Sequence, residues 1–171
     1  LKATGKKGVP QGGVISTTLF LVMINDIAKD LTQHISRTLH ADDFAAWTAA
    51  ERLATATIRM QEALNAIQKW ANDWCVTINA SKTIATCFSL SNTKETFKLS
   101  INGTELPQDD SPTYLGVKLD RRLTWNPHIK ATEQRATKKL ALMKKLAGTR
   151  WGANSKILQQ VYTGSVRPVM E

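Results

Sequence analysis

Two adjacent aspartates, Asp42 and Asp43, have the clearest capacity for chemistry in this sequence. They follow residues 37–40 and precede residues 44–47, a pattern that predicts a β-hairpin with Ala41-Asp42-Asp43 as its turn. Two carboxylates at a hairpin tip repel each other unless a cation neutralises them. Their hard oxygen atoms suit Mg²⁺, which binds one or two protein carboxylates together with substrate phosphates. Taken alone, such a pair is more often part of an ordinary surface turn than of a metal site.

Three further segments contain residue types that suit a nucleotide or a nucleic acid. Residues 8–16 are glycine-rich, and Gln11 offers both an amide donor and an acceptor to a base or sugar. Residues 78–83 contain Lys82, whose ammonium beside a phosphate would suit a general acid, although a solvated lysine is the ordinary alternative. Residues 112–117 end in Tyr-Leu-Gly-Val. Each segment alone is compatible with a plain loop or strand, whereas the ordered set is hard to produce by accident.

The net charge of +9 is concentrated in the second half of the chain. Residues 1–85 hold 9 basic and 7 acidic side chains, whereas residues 86–171 hold 14 and 7. A basic half suggests a polyanionic partner, usually nucleic acid, and the alternative is a merely soluble basic surface.

Much of this charge falls on a predicted helix that begins at Asn126-Pro127 and stops at Gly148. The basic residues of this helix are Lys130, Arg135, Lys138, Lys139, Lys144 and Lys145, and a seventh, Arg150, lies two residues past its predicted end. Its apolar stripe is Ile129, Ala136, Leu140, Met143 and Ala147. Such a helix can pack on a bundle and still present basic groups to phosphates without reading sequence. A calmodulin-target or membrane-surface helix is the competing interpretation.

The elements that must position these residues are helices and antiparallel hairpins. Helices are predicted over Thr17 to Ile35, from a Thr48–Glu51 capping box to Trp74, and from Asn154-Ser155 onward. Strands are predicted at 75–78, 84–90, 96–101 and 114–119, with Asn102-Gly103 as a hairpin turn. Trp47, Trp70 and Trp74 are expected in the core. The mixture predicts an α+β domain followed by a helical element from about residue 127.

The composition argues against a membrane-spanning helix, a disulfide framework and a zinc site. No apolar run approaches the roughly 20 residues of a membrane-spanning helix. Cys75 and Cys87 are too few for a disulfide framework and have no ligand spacing for zinc, so we expect reduced thiols and an intracellular protein. The chain begins at Leu1 without an initiator Met, and we expect it to be part of something longer.

In their order, the four segments resemble the reverse transcriptases of LINE-type (non-long-terminal-repeat) retrotransposons, above all the insect jockey-like group. The resemblance covers the chain from Lys6 to its end. Four family motifs are matched: G-x-P-Q-G-x-x-x-S by Gly8, Pro10, Gln11, Gly12 and Ser16; Y-A-D-D by His40 to Asp43; I-N-x-x-K-T by Ile78, Asn79, Lys82 and Thr83; and the primer-grip strand by Tyr114-Leu115-Gly116-Val117.

This resemblance implies a right-hand polymerase palm over residues 1–120, incomplete at its N-terminus, and the start of a helical thumb over residues 121–171. It implies metal binding by Asp42 and Asp43 and proton donation by Lys82. It also implies three sets of nucleic-acid or nucleotide contacts: template and nucleotide contacts by Pro10, Gln11, Gly12, Gly13, Ser16 and His40; a primer grip of Tyr114, Leu115 and Gly116; and backbone contacts by the seven basic residues of the predicted thumb helix.

The implied activity is RNA-directed DNA synthesis with two Mg²⁺ ions, the site being completed by an Asp upstream of residue 1. The implied partners are an RNA template, a DNA primer, deoxynucleoside triphosphates and an endonuclease in the same polyprotein, acting in target-primed synthesis in the nucleus, with no membrane. His40 departs from the family's Tyr and Thr17 from its Pro. Since the upstream Asp and the fingers are missing, these 171 residues alone are not expected to polymerise. The alternative function is a non-catalytic nucleic-acid-binding remnant of a decayed or host-adopted element.

Overall fold

The computed structural model describes residues 12–41, 43–93, 95–147 and 152–170. Its helices are α1 (Val14–Asn25, followed by a 3₁₀ turn over Asp26–Ala28), α2 (Leu53–Asp73), α3 (Asn126–Leu146), α4 (Ser155–Val161) and α5 (Arg167–Met170), with a π-helical segment over Tyr162–Val166 between the last two. Its strands are β1 (Ser36–His40), β2 (Asp43–Trp47), β3 (Ser100–Ile101), β4 (Thr104–Glu105), β5 (Thr113–Tyr114) and β6 (Val117–Lys118). They form three separate antiparallel hairpins, β1–β2, β3–β4 and β5–β6. The mixture confirms the α+β class.

The chain divides into two compact units. The first comprises residues 1–85 and 93–108, and the second comprises residues 86–92 and 109–171. The first therefore contains α1, α2 and the strands β1 to β4, and the second contains β5, β6 and α3 to α5. Within the described part of the chain, no helix is both long and apolar enough to cross a membrane.

The core of the first unit lies between α2 and the β3–β4 hairpin. Its buried members are Leu64, Ala85, Leu99, Ile101 and Leu106, and four partly buried residues pack against them: Met60, Ile78, Ala80 and Phe97. Helical periodicity in the sequence predicts an apolar stripe along this helix: Leu53, Thr57, Met60, Leu64, Ile67, Ala71 and Trp74. The stripe is confirmed at its centre, because Leu64, Ile67 and Ala71 are all buried.

The side chain of Gln61 fastens the β3–β4 hairpin to α2. Its Nε2 donates to the carbonyl of Ser100 at 2.9 Å, and its Oε1 accepts from the backbone N–H of Ser100 at 2.9 Å. Seven residues further along α2, about two helical turns, the side chain of Gln68 accepts from the N–H of Asn102 at 3.0 Å. The two glutamines thus satisfy backbone groups that such a short hairpin leaves unpaired.

The hairpin turn predicted at Asn102-Gly103 is confirmed. Ile101 pairs with Thr104, and both turn residues have positive φ, +51° and +73°. This is the two-residue turn whose twist matches that of the flanking strands.

Three other predicted strands were wrong or shortened. Residues 75–78 form no strand, residues 84–90 contribute only a single bridge between Ala85 and Gln108, and residues 96–101 contribute only β3. The reason at 75–78 is a Schellman motif at the end of α2. Val76 N–H donates to the Ala71 carbonyl at 2.7 Å and Cys75 N–H to that of Asn72 at 3.1 Å, with Cys75 left-handed at φ +55°.

Helix starts and stops also differ from the predictions. The predicted capping box was wrong: α2 begins after Arg52 without a side-chain cap, and the hydroxyl of Thr48 instead donates to the carbonyl of His34 at 3.0 Å. The first helix begins at Val14 and ends near Ala28, well before Ile35, because the backbone tightens into a 3₁₀ turn at Asp26. In α1 only Ile24 is buried.

The tryptophan prediction was wrong for two residues. Trp47 is 51% exposed and Trp74 is 48% exposed. Trp70 is partly buried, and its ring centroid lies 6.5 Å from that of Trp74.

In the second unit, α3 packs against the π-helical segment and α5. Pro127 occupies the first turn of α3 as predicted, whereas the N-cap is Trp125 and not Asn126. The predicted start of the last helix at Asn154-Ser155 is confirmed, and the side chain of Asn154 caps this helix by accepting from the N–H of Ile157 at 2.9 Å.

Candidate functional site

The predicted hairpin that contains Asp43 is present, but the turn between its strands is one residue shorter than predicted. Its register runs from Ser36 paired with Trp47 to His40 paired with Asp43, which leaves two residues between the strands. Asp43 is therefore the first residue of β2 and not part of the turn. Ala41 has φ +53°, the left-handed conformation that two-residue hairpin connections require. Asp42 lies outside the described residues.

The tip of this hairpin is exposed, and its base is fixed. His40 and Asp43 are both exposed, whereas Leu39, Phe44, Ala45 and Ala46 are partly buried along the strands. At the open end, the bond from Thr48 to His34 closes the hairpin beside buried Ile35. This arrangement exposes the Asp43 carboxylate to solvent at the tip of a paired hairpin.

Asp43 is the acidic residue that the structure describes at this tip, and its carboxylate is a suitable ligand for Mg²⁺. Asp43 offers hard oxygen atoms, and an exposed tip leaves room for the water molecules that Mg²⁺ retains. Among the described residues, no three His, Cys, Asp or Glu side chains come together as a ligand set. Asp43 is thus a candidate for one ligand of a metal ion.

Lys82 lies on a short loop organised by Asn79. The Asn79 side-chain oxygen accepts from the N–H of Ser81 (3.1 Å), the hydroxyl of Ser81 (2.7 Å) and the N–H of Lys82 (3.2 Å). The Asn79 carbonyl also accepts from Lys82 N–H and from Thr83 N–H, each at 3.1 Å, and from the Thr83 hydroxyl at 3.0 Å.

Both ends of that loop are anchored in the core. Ile78 and Ala80 pack against the buried cluster, and Ala85 is one of its members. The exposed Lys82 is therefore presented from a fixed backbone. The positioning role of Asn79 was missed, although an Asn two residues before a Ser is a recognisable signal for a side-chain-capped turn.

The glycine-rich segment leads directly into α1. Gly12 is exposed with φ +84°, Gly13 is the N-cap of α1, and the N–H of Ser16 donates to the carbonyl of Gly13 at 3.1 Å. Pro10 and Gln11 lie outside the described residues. The structure thus places Gly12, Gly13 and Ser16 at the start of one helix.

The prediction that residues 114–119 form one strand was wrong. Thr113–Tyr114 pairs with Val117–Lys118, and Leu115 and Gly116 form the turn between them with φ +47° and +81°. Gly116 tolerates the second left-handed position, so the run folds back on itself instead of continuing. Leu115 is 49% exposed at the tip, while the Tyr114 hydroxyl is buried and has no hydrogen-bond partner in the described part of the chain.

The basic residues of the predicted thumb helix lie on α3, except Arg150, which is outside the described residues. All six are exposed: Lys130, Arg135, Lys138, Lys139, Lys144 and Lys145. At 100° per residue, Lys138 and Lys145 fall opposite the apolar stripe, Lys130 and Arg135 fall to its two sides, and Lys139 and Lys144 fall nearer to it. The stripe is only partly covered, because Ala136, Leu140 and Met143 are half-buried and Ile129 is 58% exposed.

Lys139 and Arg135 also make contacts within the protein. The Lys139 ammonium donates to the carbonyl of Ser165 in the π-helical segment at 2.8 Å. The Arg135 guanidinium donates to the carbonyl of Ala131 at 3.4 Å and to the hydroxyl of Thr132 at 3.2 Å. Lys139 therefore helps to hold the helices together, which the sequence pattern did not indicate.

A family model and individual relatives of this chain point to the same protein family. The model of the family described as reverse transcriptase (RNA-dependent DNA polymerase) matches residues 2–119. The probable RNA-directed DNA polymerase from transposon BS of Drosophila melanogaster is 29% identical over 96% of this chain and 19% of its own length. The RNA-directed DNA polymerase from mobile element jockey of the same species is 34% identical over 84% of this chain and 16% of its own length.

The chain thus spans less than a fifth of the length of these two relatives. No solved structure gives a significant match. The family model nevertheless covers well over half of the chain, and it includes the aspartate hairpin, the Lys82 loop and the β5–β6 hairpin. The chain therefore belongs to the reverse transcriptase (RNA-dependent DNA polymerase) family, as a jockey-like member of the LINE type.

Proposed function

We propose that this chain is part of the polymerase of a non-LTR retrotransposon and that it acts in RNA-templated, Mg²⁺-dependent DNA synthesis. The observation that carries the proposal is the exposed Asp43 at the tip of a two-residue hairpin, within the segment that matches the family. The relatives' names, each an RNA-directed DNA polymerase, support the same activity.

In this proposal Asp43, together with Asp42 and a carboxylate from elsewhere in the protein, holds the metal ions. Bound Mg²⁺ supplies activation of the attacking 3′-hydroxyl and neutralisation of the phosphate charge. His40, directly paired with Asp43, borders the same tip on the opposite strand. Lys82 donates a proton to the leaving pyrophosphate, for which an ammonium on a fixed loop is well suited.

The remaining elements bind the nucleic acids and the nucleotide. Gly12, Gly13 and Ser16, preceded by Pro10 and Gln11, contact the template and the incoming nucleotide. Tyr114, Leu115 and Gly116 contact the primer from a hairpin tip, and α3 holds the duplex backbone through its basic face. The first unit then belongs to the palm, and α3 begins the thumb.

The full protein would use an RNA template, a DNA primer and deoxynucleoside triphosphates. We further propose that it is a polyprotein with an endonuclease, that it works by target-primed synthesis in the nucleus, and that the 171 residues alone do not polymerise. These statements rest on the family and on the small share of the relatives' length that the chain covers.

Primer extension by the full-length protein tests the catalytic assignment. Asp43→Asn should abolish Mg²⁺-dependent extension while primer–template binding stays within a few-fold, because the basic contacts of α3 remain. The matched control is Asp73→Asn, which removes another exposed carboxylate, at the end of α2. Extension at the wild-type rate by Asp43→Asn would refute the metal site, and a wild-type protein that binds but never extends would favour a non-catalytic remnant.

A further inference from the structure

The loop before α3 is held in one conformation by Asp120. Its carboxylate accepts from the N–H of Trp125 at 2.9 Å and from the N–H and hydroxyl of Thr124, each at 3.1 Å. The Asp120 carbonyl accepts from the N–H of Leu123 at 2.8 Å. Desolvation raises the pKa of the Asp120 carboxyl, but the hydrogen bonds from Thr124, Trp125 and Arg122 outweigh it, so this pKa lies below its ordinary value.

The residue that this loop fixes in place is Trp125, which is both strained and exposed. Its backbone is left-handed, with φ +64° and ψ −3°, a conformation that is rare for a bulky aromatic residue. Its side chain is 46% exposed. Such strain persists only where the surroundings impose it, and it clusters at functional sites. Here the fold holds an indole ring in solvent where a small polar residue would make a better helix cap.

The charge of the second unit indicates which kind of ligand an exposed ring there would meet. This unit contains 12 basic and 5 acidic residues in its sequence. Arg121 and Arg122 precede the tryptophan in the chain and donate to the carbonyl of Ser91 and the side-chain oxygen of Asn92, and Lys130 follows it within the next turns of α3. An exposed aromatic ring on a strongly basic unit is a combination that binds single-stranded nucleic acid, in which bases stack on the ring and phosphates contact the basic groups.

We propose that Trp125 is a stacking platform for an unpaired base in a single-stranded part of the nucleic acid whose duplex part α3 contacts. The proposal deepens the proposed function and rests on it. It adds a contact to a base, where the lysines of α3 give only contacts to phosphates. It is independent of sequence, since every base has a face that can stack on the ring.

The test is a titration of the 171-residue chain with a single-stranded thymidine oligonucleotide at low salt. Trp125→Ala should weaken binding by about 5- to 150-fold, the usual cost of removing one stacked base contact. The slope of affinity against salt should stay the same, because the phosphate contacts remain. Trp125→Phe should retain most of the affinity, and Trp125→Leu, which is apolar but not aromatic, should not. Trp74→Ala is the matched control, since Trp74 is 48% exposed and lies in the other unit.

An abasic oligonucleotide of the same length separates stacking from charge. It should bind the wild-type chain more weakly, and it should bind Trp125→Ala and the wild type equally. Two results would overturn the inference: equal binding of the thymidine oligonucleotide by Trp125→Ala and the wild type, or equal binding by the Leu and Phe variants. If the wild type binds no single-stranded oligonucleotide, this inference fails, and a titration with primer–template duplex then decides whether the nucleic-acid role of α3 fails as well. Far-UV circular dichroism confirms that each variant is folded.

Discussion

Replacing Asn79 by Ala tests whether the loop it organises positions Lys82 for catalysis. The change removes the side-chain oxygen that accepts from the Ser81 N–H and hydroxyl and from the Lys82 N–H, while the bonds to the Asn79 carbonyl remain. Because the loop is exposed, each lost bond is worth about 0.5 kcal/mol, the low end of the net range. The total of about 1.5 kcal/mol corresponds to an about tenfold lower ratio of the ordered to the disordered loop.

Single-turnover primer extension by the full-length protein should therefore slow by up to about tenfold in Asn79→Ala, with primer–template affinity unchanged. Asn79→Asp keeps the acceptor oxygen atoms and should stay within about threefold of wild type. If Asn79 acts through Lys82, the double variant with Lys82→Ala should be no slower than Lys82→Ala alone. Full additivity of the two effects would refute this account, because it would mean that Asn79 acts independently of Lys82.

Three further changes test the supports of the two units. Gln61→Leu should destabilise the first unit by about 2 kcal/mol in urea unfolding, since it leaves the Ser100 N–H and carbonyl without partners. An unchanged urea midpoint would show that these two hydrogen bonds do not hold the hairpin to α2. Cys75→Gly should stabilise the end of α2 by about 1 kcal/mol, because glycine adopts the left-handed φ without strain; lower stability would contradict this. The depressed pKa of Asp120 stabilises the fold at pH values above the ordinary carboxyl pKa of about 4, and that stabilisation is lost as pH falls. Thermal unfolding should therefore show a gap between wild type and Asp120→Asn at pH 7 that closes towards pH 3, and a constant gap would contradict the assignment.

The features that the sequence predicted well depend on neighbouring residues alone. Asn102-Gly103 supplies two residues that accept positive φ, and Asn154-Ser155 marks the start of the last helix, which begins at Ser155. The stripe of α2 follows from helical periodicity, and the charge of α3 follows from composition. None of these needed knowledge of a distant partner.

The predictions that failed required a choice between competing local signals or a partner far along the chain. Thr48 has the spacing of a capping residue, but its hydroxyl donates to His34, fourteen residues earlier. Tyr114 to Val117 is apolar enough for a strand, yet Gly116 permits a turn, and the turn prevails because Thr113 and Lys118 can pair. The role of Asp120 was not visible, because its carboxylate caps groups four and five residues away in a loop of unusual backbone.

The distribution of backbone strain separates structural turns from candidate functional ones. In the described part of the chain, six residues other than glycine have positive φ: Ala41, Cys75, Asn102, Leu115, Leu123 and Trp125. Ala41, Asn102 and Leu115 close two-residue hairpins and Cys75 ends a helix, so local structure accounts for these four. Leu123 and Trp125 lie in the loop that Asp120 holds before the basic helix. Left-handed conformations cost free energy in bulky residues and recur at sites of function. Among the six, the strain at Trp125 is therefore the one that bears on the proposed stacking site.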